Sequence, residues 1–415
     1  MCNNKNKKFK FVIGLSLVTL FSTAISSCKK VPPLLKNNIC MITDSGDITD
    51  ESFNQNTWEG CIEFEKLCKE NGIDVHATYK KPYTSELASL VEAMELGIDQ
   101  GAGTIVVPGF SFAKAIADVA PRYPEVKFIS LDTDASSFGE KFVLPENVYS
   151  CTYQDELSGF MAGYAAACEG YHNFGFLGGL AVASVKRYGY GFCRGIDYYA
   201  QTLGTSSEKF FIRYAYGNQF FGDSDIKARM DTWYKAPQNP SEVVFCCGGS
   251  IYTSACESAL SAMTGDFLPK IIGVDVDQGP LINKKYHEHM CLTSATKGLK
   301  AAVIYKLFEY VIENKWESKY EKLSFSEDFL VDKNPENNYI QLALSSFGKV
   351  DGLPKELEKF TYDNYVDLAL EIYKANLKLD DANKELMEAI KVDISLDSPS
   401  ILSSNVHLED QGYIK

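Results

Sequence analysis

The stretch Ile39-Cys-Met-Ile-Thr43-Asp44-Ser-Gly-Asp-Ile-Thr-Asp50-Glu-Ser52-Phe53-Asn54-Gln55 passes from a short apolar run through a polar turn into a helix-like segment. The run Ile39–Thr43 is continuous rather than alternating, as expected for a parallel strand covered on both faces. Asp50 or Ser52 can cap a helix over Ser52–Asn71. Free backbone N–H groups at such a start face whatever lies beyond the strand's carboxyl end. Phe53 then offers a flat apolar surface and Asn54 an amide donor and acceptor. The same residues also read as a capped helix with a core phenylalanine.

Working outward, the alternation recurs. Strand candidates are Ile39–Thr43, Thr104–Val107, Val126–Leu131, Phe174–Leu177, Phe210–Tyr216, Val243–Cys247, Ile271–Val274 and Cys291–Thr293. Helical patterns fill the gaps: Ser52–Asn71, Ser85–Gln100, Ser111–Ala120, Gln154–Glu169, Ser184–Leu203, Tyr252–Thr264 and Lys297–Trp316. In the second of these, apolar residues at 87, 90, 91, 94 and 98 share one helical face. Strands alternating with helices imply right-handed crossovers and doubly wound α/β sheets. So many strands suit two lobes better than one sheet. The expected division is a first lobe over 38–153 completed by about 275–300, and a second over 154–274 completed by about 301–350.

Ligands of such sheets bind outside the carboxyl ends of the strands. Those tips carry Asp44, Gly109-Phe110, Asp132, Gly178-Gly179, Gly248-Gly249 and Asp275. Any single one is a common turn former or helix cap, but three strands each ending in an acid point to a ligand cleft. Residues 317–415 differ: apolar strands become sparse, Leu368–Ile390 is a helical pattern rich in lysine and acids, and the last twenty residues are polar. A C-terminal helical extension with a polar tail is expected over 351–415. No internal repeat is visible.

The 415 residues include 45% hydrophobic and 13% aromatic ones, enough for real cores, and a formal net charge of −14. That charge argues against a nucleic-acid partner, which needs a basic footprint. Residues 1–27 hold Lys5, Lys7, Lys8 and Lys10, no acid, and the apolar run Phe11–Phe21. They read as a signal peptide, too short to span a bilayer comfortably. Ile25-Ser-Ser-Cys28 follows and looks like a bacterial lipobox, with Cys28 the lipidated residue; an ordinary signal peptide with a chance cysteine is the alternative. Removing the four lysines with residues 1–27 takes the charge from −14 to −18. The expected product is an acidic protein held at the outer face of a membrane by lipid on Cys28, followed by a linker over 28–37. The twelve cysteines include no CxxC pair; Cys40, Cys246 and Cys247 sit in strand-like runs as small core hydrophobes. His287 and His289 lack a nearby cysteine and read as a solvated loop.

The string Asp44-x-Gly-x-x-x-Asp50-x-Ser52-Phe53-Asn54-Gln55 resembles the opening of the basic membrane lipoprotein family, which includes purine nucleoside receptors of ABC importers. Further segments agree in order: Gly109-Phe110, Phe128-x-x-x-Asp132, Leu157-Ser-Gly-Phe-Met-Ala-Gly-Tyr-Ala-Ala166, Gly175-Phe-Leu-Gly-Gly179, Arg187-Tyr-x-x-Gly-Phe192 with Gly195, Gly273-Val-Asp-Val-Asp-Gln278 and Thr293-Ser-Ala-Thr-Lys297. The resemblance covers roughly residues 36–350. The family's proline between Gly179 and Arg187 is absent; Leu180-Ala-Val-Ala-Ser-Val-Lys186 stands there instead.

The resemblance implies a type I periplasmic-binding fold, with two lobes joined by three crossing segments that close over a ligand. It implies a purine base held between two phenylalanines: Phe53 from one lobe and Phe221 from the other, with adjacent Phe220 as the alternative. Asp44 and Asn54 would face the base with Asp132 nearby, and Asp275, or Asp277 in its place, would hold the ribose with Lys297. Asp50, Ser52, Gly109, Phe110 and Gly248 complete the candidate ligand-binding set. It further implies delivery to the permease and ATPase subunits of an ABC importer, no cofactor and a monomer.

Two other classes stay open. Asp44-x-x-Asp47-x-x-Asp50 could hold calcium or magnesium, as a metal-dependent nucleoside hydrolase would need. No G-x-S-x-G elbow or phosphate loop accompanies it. Alternatively the same fold takes a sugar, an autoinducer or another small ligand, as a sensor. Sugar sites favour tryptophan, and Trp58, Trp233 and Trp316 lie outside the tip loops.

Overall fold

The computed structural model describes residues 33–343 apart from 45, 51, 140, 204–208, 266 and 325–337, together with 393, 395–399 and 403–414. The lipobox with Cys28 and the helical pattern over 368–390 lie outside the described residues.

Two sheets form the frame, parallel throughout except for one antiparallel edge strand in the second. The first runs β1 (Leu35–Ile42), α1 (Phe53–Glu70), β2 (His76–Lys80), α2 (Leu87–Asp99), β3 (Ala102–Pro108), α3 (Ala113–Val119), β4 (Lys127–Leu131), α4 (Ala135–Phe138) and β5 (Val148–Tyr153). The chain crosses to a second lobe built from α5 (Asp155–Cys168), β6 (Asn173–Gly178), α6 (Ala183–Thr202), β7 (Phe210–Tyr216), α7 (Ser224–Tyr234) and β8 (Val243–Cys247). There it continues through α8 (Tyr252–Ala262), β9 (Lys270–Asp275), α9 (Gly279–Lys285) and β10 (Cys291–Lys297). It then returns for α10 (Leu299–Leu307) and β11 (Tyr320–Leu323), and ends in the second lobe with β12 (Ile340–Leu342) and β13 (Val406–Tyr413). Strand orders are β11-β5-β4-β3-β1-β2 and β12-β10-β9-β8-β6-β7-β13. This is the type I periplasmic-binding arrangement, an α/β fold of two doubly wound lobes.

All eight sequence-predicted strands form. Their central residues, such as Ile105, Ile129, Phe245 and Ile272, are fully buried between helical layers. Three expectations are corrected. Residues 275–300 were expected to complete the first lobe, yet β9 and β10 pair with each other in the second sheet. The helix expected over 297–316 and assigned to the second lobe starts only after Lys297 ends β10; α10 then packs on α1 in the first lobe, where Gly60 admits Val303 and the Lys300 backbone. β11 likewise joins β5 in the first sheet. Finally, the polar C-terminal tail contains a strand: β13 runs parallel to β7, and Trp233 Nε1 donates to Gln411 Oε1 at 2.8 Å.

Helices α5 and α6 lie against each other with almost no side-chain separation. A Cβ on Gly159 or Gly163 would overlap the carbonyl oxygen of Tyr188 or Phe192, and one on Gly191 or Gly195 that of Glu156 or Phe160. The glycine-bearing segments around residues 157–166 and 187–195 are thus explained by this close approach, which fixes α6 at the edge of the interlobe cleft.

Candidate functional site

A cleft of about 300 Å³ opens between the lobes at the carboxyl ends of both sheets. All twelve candidate residues line it: Asp44, Asp50, Ser52, Phe53, Asn54, Gly109, Phe110 and Asp132 from the first lobe, and Phe221, Gly248, Asp275 and Lys297 from the second. Residues at the ends of β1, β3, β4, β8, β9 and β10, with Phe221 from the loop after β7, are brought together there. The cleft is also lined by Val182, Ser184, Val185, Tyr188 and Cys247, which the sequence reading did not single out. Ser184 and its neighbours belong to the segment that lacks the family's proline, so the only signal for them was that departure.

In the first lobe the turn after β1 is organised by Asn54. Its Nδ2 donates to Asp44 Oδ1 and to Asp50 Oδ2, both at 2.7 Å, while its Oδ1 accepts from the Asp44 backbone at 3.0 Å. With both amide hydrogens engaged and only 2% of the residue exposed, Asn54 holds the two carboxylates in place rather than offering a free donor to the cleft. Asp50 is the cap of α1: Oδ1 accepts from the Ser52 and Gln55 backbones at 3.0 Å, and Oδ2 from the Asn54 backbone at 3.1 Å. Ser52 precedes the first helical residue without a side-chain cap bond. Asp47 turns outward to Lys81 at 2.8 Å, so the three acids of this turn do not converge on a point. No group of three or more metal-ligating side chains is found among the described residues. Burial raises the Asp44 carboxyl above its ordinary range, against hydrogen bonds from Gly46 and Asn54.

The floor is a buried charge cluster. Lys297, its side chain 1% exposed, donates from Nζ to Asp132 Oδ2 at 2.9 Å and to Ser184 Oγ at 2.8 Å, and lies 3.2 Å from Asp155 Oδ1 and 3.8 Å from Asp275 Oδ1. Ser184 Oγ in turn donates to Asp155 Oδ2 at 2.9 Å. Behind it, Arg187 reaches Asp155 Oδ2 at 3.0 Å, and Lys322 closes the cluster on Glu156 at 2.5 Å. Burial alone would favour the neutral amine of Lys297, but the three surrounding carboxylates outweigh it and raise its pKa. Burial drives Asp275 up to about 6, with Asp132 and Asp155 adding to the shift and Lys297 opposing it. Asp132 and Asp275 both take left-handed backbone conformations, at φ 55° and 66°. Such conformations are uncommon for residues with a Cβ and concentrate where a tip must be aimed.

The alternatives at two positions are placed differently. Asp277 is exposed, caps the turn into α9 by accepting from the Gly279 backbone at 3.0 Å, and lies outside the cleft that Asp275 lines. Phe220 also lines the cleft but is wedged against Gly179, Gly248 and Gly249, each of which has no room for a Cβ beside it. Phe221 is 58% exposed and has its ring free for a ligand. Phe53, from the first turn of α1, lies 5.3 Å from Lys297 Nζ.

The profile of the Bmp family, described as "ABC transporter substrate-binding protein PnrA-like", matches residues 37–342. The ABC transporter nucleoside-binding protein BmpA of Lactococcus lactis subsp. cremoris is 29% identical over 168 residues, 38% of this chain and 44% of that protein. A CD4+ T-cell-stimulating antigen of Listeria monocytogenes is 24% identical over 170 residues, 39% of this chain and 45% of that one. The chain thus spans less than half the length of the curated relatives it matches. Among solved structures, a solute-binding protein of an ABC transporter system from Aeropyrum pernix K1 has a TM-score of 0.55 at 19% identity, covering 86% of this chain and 90% of that one. A transcriptional activator of the comK gene from Bacillus halodurans also has a TM-score of 0.55, at 16% identity over 79% of this chain and 97% of that one. These two likenesses concern the fold alone.

Proposed function

The chain belongs to the Bmp family of PnrA-like ABC transporter substrate-binding proteins, and on that premise we propose that its cleft captures a purine nucleoside of the inosine, guanosine or adenosine class for delivery to an ABC importer. The observation that supports this reading is that Phe53 from one lobe and Phe221 from the other line the same cleft as the carboxylates around Lys297. Base–aromatic stacking contributes about 1–3 kcal/mol per base. Asp275 and Lys297 supply the acceptors and donor that vicinal ribose hydroxyls require. The cleft's volume lies at the small end of ligand sites, which run from about 300 to 1,000 Å³, a size suited to one nucleoside. The match to a nucleoside-binding protein of Lactococcus lactis supports the same ligand class.

In this proposal the protein carries out no reaction: it binds, closes and hands on. Lipid on Cys28 tethers it to the extracytoplasmic face of the cell membrane, and the permease and ATPase subunits of the importer are its partners. Asp44, held by Asn54, faces the base edge. A melting screen tests the ligand class: purine nucleosides should raise the melting temperature, free pentoses and hexoses much less. Stabilisation by sugars alone would replace the nucleoside reading with a sugar-binding one.

A further inference from the structure

Tyr188 lines the cleft from α6, yet the residue is only 1% exposed and its hydroxyl has no hydrogen-bond partner among the described residues. Asp132 Oδ1, on the opposite lobe, is likewise buried and unpartnered; its nearest cation, Arg187 Nη2, is 4.0 Å away. The two orphaned atoms share one neighbour. Lys297 Nζ bonds the other oxygen of Asp132 at 2.9 Å and lies 5.3 Å from the centre of the Tyr188 ring. The backbone of Tyr188 packs directly against Gly159 of α5, and its ring is buried against Phe245.

One wall of the cleft therefore holds an unused donor and another an unused acceptor, both beside Lys297. Buried polar atoms are normally paired, and a single incoming group satisfies both only if it donates and accepts at once. A hydroxyl does this. A carbonyl or ring nitrogen would leave Asp132 unpaired, and an ammonium or amide NH₂ would leave Tyr188 unpaired. A phosphate is disfavoured by Asp132, Asp155 and Asp275 around the same point.

We propose that Tyr188 is a specificity-determining residue whose O–H donates to a ligand hydroxyl, which in turn donates to Asp132 Oδ1. The inference rests on the nucleoside reading and deepens it. The sugar enters first, the base remains between Phe53 and Phe221, and a free hydroxyl at the floor is required for tight binding.

The test is calorimetric titration of the full chain and of Tyr188→Phe with inosine, its 2′-, 3′- and 5′-deoxy analogues, and ribose. The substitution keeps the ring and its packing, so the melting temperature should be unchanged. Inosine binding should weaken about tenfold or more, whereas the one deoxy analogue lacking the read hydroxyl should bind both proteins within about twofold. Equal inosine affinity in Tyr188→Phe, as if a water satisfied both atoms, would overturn the assignment. So would the same loss for every ligand. Wild-type protein that binds ribose and not inosine would reject the nucleoside reading while the ribose titration still judges Tyr188. Wild-type protein that binds no hydroxylated member of the panel would reject both.

Discussion

Lys297 Nζ, at the end of β10 in the second lobe, donates to Asp132 Oδ2, at the tip of β4 in the first, at 2.9 Å. The two lobes are thus tied across the cleft by groups that also line it. The tie sits beside the chain crossings: Asp155 and Glu156 directly follow the first, Lys297 precedes the second and Lys322 the third. Whatever hydrogen-bonds Lys297 from the cleft acts on the contact that sets how the lobes meet.

Lys297→Met should destabilise the protein severely. It leaves Asp132, Asp155 and Asp275 without their shared ammonium, and breaking a buried pair from one side costs about 3–5 kcal/mol. Denaturant unfolding at pH 7.5 measures the loss. Wild-type stability would show that Arg187 alone neutralises the cluster.

Asp275 carries the pH dependence. Its pKa of about 6 is raised from the ordinary 3.8, so between those values the folded chain holds the proton more tightly than the unfolded one. Stability from this group is greatest when it is protonated and falls as pH rises through that window. A shift of about two units corresponds to ~3 kcal/mol at neutral pH. Asp275→Asn cannot ionise, so it should melt higher than wild type at pH 7.5, with the gap closing near pH 4.5. It should also bind nucleosides more weakly. A variant melting below wild type at pH 7.5 would mean that the attraction to Lys297 exceeds the burial cost.

Neighbouring phenylalanines should separate cleanly. Phe221→Ala, at an exposed ring, should cost at least tenfold in affinity and less than about 0.5 kcal/mol in stability. Phe220→Ala should open a cavity against Gly179, Gly248 and Gly249 and cost about 1–3 kcal/mol. Paired titrations and melts read both. The reverse pattern would make Phe220 the stacking ring.

Gln411→Ala tests the C-terminal strand. It removes the acceptor for the Nε1 of fully buried Trp233 and for Arg229, and an unsatisfied buried donor costs about 1–3 kcal/mol. Unfolding free energies decide it. An unchanged value would mean that the Gln411 side chain adds nothing to the second lobe.

The cleft was legible because strand tips in parallel sheets are ligand-facing by geometry, and acids or glycines there leave a mark in the sequence. Asp44, Asp132, Gly248 and Asp275 were found that way. Tyr188 and Ser184 were not, since on an amphipathic helix they look like ordinary core and surface positions. The Asp155–Arg187–Lys297 cluster joins residues far apart in the chain, and no local pattern announces it. The missed strands fall into two groups: β2, β11, β12 and β13 are short or polar edge strands, and β5 is buried but interrupted by Ser150 and Thr152. Lobe membership after residue 270 was misread because a parallel strand's sequence does not say which sheet it enters.

The most direct measurement is calorimetric titration of the unfolded and refolded chain, freed of any retained ligand, with inosine, guanosine, adenosine, uridine and ribose, alongside Phe53→Ala. The account predicts one-to-one binding of purine nucleosides with a negative heat-capacity change, weak binding of ribose, and a loss of more than tenfold in Phe53→Ala. No binding of any nucleoside, or wild-type affinity in Phe53→Ala, would contradict it.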